Sequence, residues 1–194
     1  MRSAALGFLL AGLGIGFFGM SKGMDYWAKD WVDQKVRPLP QWVRPGTAQV
    51  PPPDPAVLDR LENILRNDPR NFEALREFGN IQFDQRDFET AAGFYAKALE
   101  VNPDDVNTRA DRGLALLQLN RIDEAVAELR RAVQINPNHP QALFYLGLVL
   151  IEFKNDPQGA AQLWKRLVET TPDFPEIDLV KERIREIEKM GRPQ

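Results

Sequence analysis

Apolar residues recur through residues 55–190 in short stripes at helical spacing, separated by polar turns, and one stripe returns three times. The first block reads Leu75, Phe78, Gly79, then Ala91, Tyr95 and Ala98. The second places Gly113, Ala125, Leu129 and Ala132 in the same slots, and the third Leu143, Leu146, Gly147, Ala160, Trp164 and Leu167. Gly79, Gly113 and Gly147 fall 34 residues apart (113 − 79 = 34; 147 − 113 = 34), and Pro103 and Pro137 keep the same step. The third block runs one residue late after Glu152 and closes on Pro172, so an insertion is predicted at the Lys154-Asn155-Asp156-Pro157 turn. A fixed period in this range marks stacked helix–turn–helix units. The small residues predict close approach of two antiparallel helices, and the large ones fill the space between those contacts. Each proline, after Asn102, Asn136 or Thr171, stops a second helix because it has no N–H to donate. Gln85-Arg86-Asp87 and Leu119-Asn120-Arg121 are the predicted turns within the first two units.

The pattern continues at both ends. Val57, Leu61, Ile64 and Leu65 precede Pro69, itself 34 residues before Pro103 (103 − 69 = 34), and read as the second helix of a repeat whose first is absent. Asp54-Pro55 supplies its acceptor and a preset φ. Its unpartnered side must be covered by the preceding linker, a second copy or another protein. Beyond the third block, Ile177, Val180, Ile184 and Ile187 form one stripe on a charged helix ending near Gly191. A terminal unit needs a polar outer face, so Phe174–Met190 is predicted to cap the array.

The blocks Leu75…Phe78-Gly79…Ala91…Tyr95…Ala98…Pro103 and Leu143…Leu146-Gly147…Ala160…Trp164…Pro172 resemble the tetratricopeptide repeat family. The expected fold is all-α: a short solenoid of three repeats plus a preceding half-repeat and a C-terminal capping helix, behind an N-terminal transmembrane helix. The divisions are an N-terminal flank (1–3), a signal-anchor helix (4–21), a juxtamembrane aromatic and charged segment (22–37) and a proline-rich linker (38–54). A half-repeat helix (55–71), three repeats (72–105, 106–139 and 140–173) and the cap (174–191) follow.

The resemblance implies that the first helix of each hairpin lines a protein-binding groove. Its walls would include Arg76, Asn80 and Phe83, with Glu73, Glu77 and Asp84, in the first repeat. Asp111, Leu114 and Leu117 follow in the second, and Phe144, Tyr145, Leu148 and Ile151 in the third. Arg76 and Asn80 match the start of the family's clamp for a peptide carboxyl terminus. Asp111 then stands where an Asn is wanted, and Gln141 and Tyr145 replace two basic residues, so chaperone-tail recognition is not implied. The groove so drawn is polar at one end and apolar at the other. The apolar end either receives a bound segment, which would then carry most of the affinity, or lies under the capping helix. Arg109 and Arg112 fall where the second repeat should be apolar. Either they pair with Asp111, Asp105 or Glu77, or they snorkel to solvent.

Composition narrows the chemistry. The 194 residues carry a net charge of −3, which argues against a nucleic-acid partner, and hold no Cys. His139 is the one histidine, and Ser3 and Ser21 are the only serines. No nucleophile–base pair, metal cluster or phosphate loop assembles from this inventory. The expectation is a binding protein with no cofactor, metal or small-molecule substrate.

The amino terminus points to a membrane. Ala4–Met20 is uncharged and follows one positive residue, Arg2; Tyr26, Trp27 and Trp31 come after it, as interfacial aromatics do. It reads as an uncleaved single-pass anchor, with a removed signal as the alternative. Gly12, Gly16 and Gly19 give it a small-residue face for close helix packing, or reflect only the tolerance of such segments for glycine. Lysine and arginine counts would keep the remainder in the cytoplasm, whereas the short charged start favours an exported domain at the bacterial inner membrane. Dense proline between Pro38 and Pro55 makes a semi-rigid spacer. An anchor with a few exported repeats is similar to accessory modules of bacterial cytochrome c maturation. The function expected is a membrane-anchored scaffold assisting assembly of a membrane or exported complex; a stoichiometric accessory subunit is the alternative.

Overall fold

A computed structural model describes residues 51–190. The anchor 4–21 with Gly12, Gly16 and Gly19, the segment 22–37, most of the 38–54 linker and Gly191 lie outside the described residues. No described helix is long and apolar enough to cross a membrane.

Eight α-helices make up the described chain: α1 (Pro55–Asn67), α2 (Phe72–Asp84), α3 (Phe88–Val101) and α4 (Val106–Gln118), then α5 (Ile122–Ile135), α6 (Pro140–Lys154), α7 (Pro157–Thr170) and α8 (Ile177–Met190). Each packs mainly on its neighbours in sequence, and α4 also touches α6. The fold is a stack of helical hairpins.

The periodic slots explain the stack. A Cβ added at Gly79 would lie 2.5 Å from the Tyr95 ring, and one at Gly113 would lie 2.8 Å from Leu129 Cγ; at Gly147 it would run into the Trp164 indole. Each glycine therefore makes room for the large residue of its own hairpin partner, and all three large residues are almost wholly buried. Trp164 also donates its indole N–H to the Phe144 carbonyl at 3.2 Å.

Helix starts repeat as well. Asn71, Asp105 and His139 fall 34 residues apart (105 − 71 = 34; 139 − 105 = 34), and each accepts the N–H three residues on through its side chain. These caps satisfy donors that the first helical turn leaves unpaired. Arg86, Asn120 and Asn155 adopt left-handed conformations at φ 64°, 57° and 51° and turn the chain between the helices of each hairpin. α6 has 15 residues where α2 and α4 have 13, and only Asn155 and Asp156 separate it from α7, so a longer first helix and a shorter turn together take up the third unit's one extra residue.

At the amino end, Leu61 of α1 forms a core with Ala74 and Phe78, and Val57, Leu58, Ile64, Leu65, Ile81 and Phe94 pack against it. The Pro51 carbonyl accepts a hydrogen bond from Gln85 Nε2 at 2.9 Å. The Phe78 and Phe94 rings stack at 4.9 Å.

Two expectations are corrected. Arg109 and Arg112 neither reach Asp111, Asp105 or Glu77 nor extend to water. Both grip Glu128 of α5, Arg109 at 2.7 Å, and Arg109 also donates to the Pro103 carbonyl. The cap helix begins at Ile177 instead of Phe174, because the residue before Pro175 is pushed out of helical geometry.

Candidate peptide-binding groove

The first helices α2, α4 and α6 carry every groove residue read from the sequence, but the packing divides them. Between α2 and α4 lies a pocket of about 340 Å³, lined by Asn80, Phe83, Asp84, Asp111 and Leu114, with Tyr95 of α3. Asn80, Phe83, Asp111 and Leu114 are thus brought together as expected. Tyr95 was read only as a core filler. Its ring fills the space left by Gly79 while its hydroxyl donates to Asn80 Oδ1 at 2.9 Å. The available signal was its hydroxyl in a slot that holds Leu129 and Trp164 elsewhere.

Arg76 stands apart from the pocket lining. Its guanidinium holds Glu73 Oε2 at 2.7 Å and 3.3 Å, and this bond raises its already high pKa. The cation that would begin a carboxylate clamp is therefore already occupied. Burial pushes the Asp111 carboxyl up to about 6; the nearby Arg76 charge opposes that shift and Asp105 adds to it. Burial also raises the Tyr95 phenol, with Asp111 and Asp84 adding to the effect. The pocket is an oxygen-rich, negatively charged recess with an aromatic and an aliphatic wall.

The other groove residues are not free walls. Leu117 is 1% exposed and belongs to the core. Phe144 and Leu148 are 4% and 5% exposed, in one cluster with Trp164, Ile177, Val180, Ile184 and Ile187. Tyr145 and Ile151 pack partly buried against that cluster. Phe174, in the turn before the cap, sets its ring 5.2 Å from Phe144. The proposed apolar half is corrected accordingly: α8 and the turn before it seal this end, because one apolar stripe needs another to bury it.

With no cysteine in the chain and no group of metal-binding side chains among the described residues, nothing described marks a metal site. His139 is committed to structure. Its Nδ1 accepts the Ala142 N–H, so Nε2 carries the proton and donates to Asn107 Oδ1 at 2.9 Å.

Stacked hairpins with a face built from their first helices define a repeat protein of the protein-interaction class. The tetratricopeptide repeat model matches residues 82–142 and 116–184, and the chain belongs to that family. It is 30% identical over 104 residues to the DnaJ homolog subfamily C member 7 homolog of Dictyostelium discoideum, covering 45% of this chain and 19% of that one. The chain thus spans about a fifth of that relative's length. Among solved structures it resembles the Arabidopsis OM64 tetratricopeptide domain, with a TM-score of 0.55 at 20% identity over 59% of this chain and 94% of that one. The first such domain of Spaghetti (RPAP3), bound to the HSP90 peptide SRMEEVD, matches with a TM-score of 0.56 at 22% identity, over 63% and 94% of the two chains. At these identities the structures establish the fold alone.

Proposed function

We propose that this chain holds a segment of another protein against the α2–α4 face, and that residues 4–21 anchor it to a bacterial inner membrane with the repeats exported on the 38–54 spacer. The observation that carries the groove reading is the pocket of Asn80, Phe83, Asp84, Tyr95, Asp111 and Leu114, assembled from two adjacent repeats. Tyr95 and Asn80 also serve the stack, but Asp84 and Asp111 make no hydrogen bond within it. The peptide held by the RPAP3 neighbour supports a peptide occupant as such. The task proposed is assembly or maturation of a membrane or exported complex, and the resemblance to cytochrome c maturation modules rests on architecture only.

Site-specific photocrosslinking in the native cell tests the groove. The full chain carrying p-benzoylphenylalanine at Leu114 should trap a defined partner that the same probe at Arg130, on an exposed side of α5, does not. Equal trapping at both positions would sink the groove reading. Recovery of the partner at constant stoichiometry through detergent would instead favour a permanent accessory subunit.

A further inference from the structure

We propose that the α2–α4 pocket receives a lysine or arginine side chain, so that the groove selects a basic segment of its partner. This rests on the groove reading above and adds the chemistry of the occupant.

Asp84 and Asp111 line the pocket, and neither makes a hydrogen bond or ion pair among the described residues. Asn80 Oδ1 and the Tyr95 hydroxyl oxygen add acceptors beside them. No cationic side chain is among the lining residues. Arg76, the cation that acts on Asp111 from outside the lining, makes its hydrogen-bonded ion pair with Glu73 at 2.7 Å. Around Asp111 the Arg76 charge acts against the carboxyl's raised pKa and Asp105 adds to it, so the carboxylates of the lining face one cation that stands outside the pocket.

A recess of acceptors suits a group that only donates, and ammonium and guanidinium groups offer donors and no acceptor. The pocket walls match the rest of such a side chain. Phe83 and Leu114 can cover a methylene stem while the charged end reaches the carboxylates. A half-buried carboxylate that accepts no hydrogen bond is unfavourable, and an incoming cation relieves it while forming charge-assisted hydrogen bonds. An acidic tail would instead meet Asp84 and Asp111 head on, which gives discrimination by repulsion as well as attraction.

The test uses the full chain in non-ionic detergent at pH 7.5. The probes are short fluorescein-labelled peptides sharing one Ala/Leu framework and carrying lysine, glutamine or glutamate at the same positions. The lysine peptide should bind at least about tenfold tighter than the glutamine peptide, with glutamate weakest, and added salt should narrow the gap. Asp111→Asn should remove most of that preference. Asp84→Asn, at an exposed position, should lower it without touching a half-buried group. Equal affinity for the three peptides, a preference for glutamate, or an unchanged lysine preference in both variants would overturn the inference. If a native partner still crosslinks at Leu114 in that event, the groove reading stands and only the charge assignment falls. If no partner crosslinks there, both fall.

Discussion

The α2–α4 face and the α6–α8 end are built on the same 34-residue frame and finish differently. In α2 the buried residues are Ala74, Leu75, Phe78 and Gly79, and the rest of its surface keeps Asn80, Phe83 and Asp84 for the pocket. In α6 eight residues are buried, from Ala142 to Leu150, because α5 and α7 both pack against it and the apolar stripe of α8 joins the same cluster. A helix with neighbours on both sides tolerates apolar residues all round, whereas one with an open face needs polar ones. The repeat frame specifies the stack, and what lies opposite each first helix decides whether its remaining face is core or site.

The largest effect is expected where the frame is fullest. Trp164→Ala removes the side chain that occupies the Gly147 slot and anchors the cluster under α8. It should lower unfolding free energy by about 3–5 kcal/mol in urea titrations. A loss below about 1 kcal/mol would mean that the third hairpin does not depend on this interlock.

Next comes the direct comparison of the two regions. Phe144→Ala should cost about 2–4 kcal/mol, since the ring is buried between Tyr145, at 5.3 Å, and Phe174. Leu114→Ala, at a half-buried pocket wall, should cost about 1 kcal/mol or less while weakening partner capture. The reverse ranking in thermal melts would reopen the apolar end as the binding surface.

The sequence made the core legible because each core slot recurs. Gly79 with Tyr95, Gly113 with Leu129 and Gly147 with Trp164 are visible as a period before any contact is known. The resemblance to the repeat family placed Asn80 and Asp111 on the first helices of adjacent repeats, and the structure brings both to one pocket. What one repeat does alone was hidden. Arg109 and Arg112 share Glu128 through side-chain reach across two helices, which spacing along α4 does not encode. The stripe Ile177, Val180, Ile184 and Ile187 announced a cap, but left open that the cap would bury Phe144 and Leu148. His139 entered the sequence reading only as the one histidine, although its distance from Asp105 marks a cap position.

Asp111 sharpens the comparison from the open side. Its folded-state pKa of about 6 exceeds the ordinary aspartate value of 3.8, so the native carboxyl keeps its proton to higher pH than the unfolded chain does. Between these values stability falls as pH rises, and above about 6 the penalty is fully present. Asp111→Asn should therefore stabilise the chain at pH 7.5 by about 1 kcal/mol, a figure reduced from the full shift for partial exposure. The gain should vanish near pH 4. A variant that melts lower at pH 7.5 would show that the carboxylate supports the fold and is not held ready for a partner.

The smallest effect concerns the junction between the two regions, where His139 caps α6 and reaches back to Asn107 of α4. Burial lowers its pKa from 6.5, while Asp105 acts in the opposite direction. Here the unfolded chain takes up the proton more readily than the native one. Stability should be fully present above pH 6.5 and decline as pH falls through that value, levelling below the folded pKa. Protonating Nδ1 would also remove the acceptor that holds the Ala142 N–H. His139→Asp puts at this position the cap type that Asp105 provides at α4, and it loses the Asn107 contact. At pH 7.5 these changes largely offset, leaving stability within about 0.5 kcal/mol of the parent. The test is the pH profile of the melting temperature between 5 and 7.5. If the histidine-dependent decline persists in His139→Asp, the titrating group lies elsewhere and the cap is not what couples the second repeat to the third.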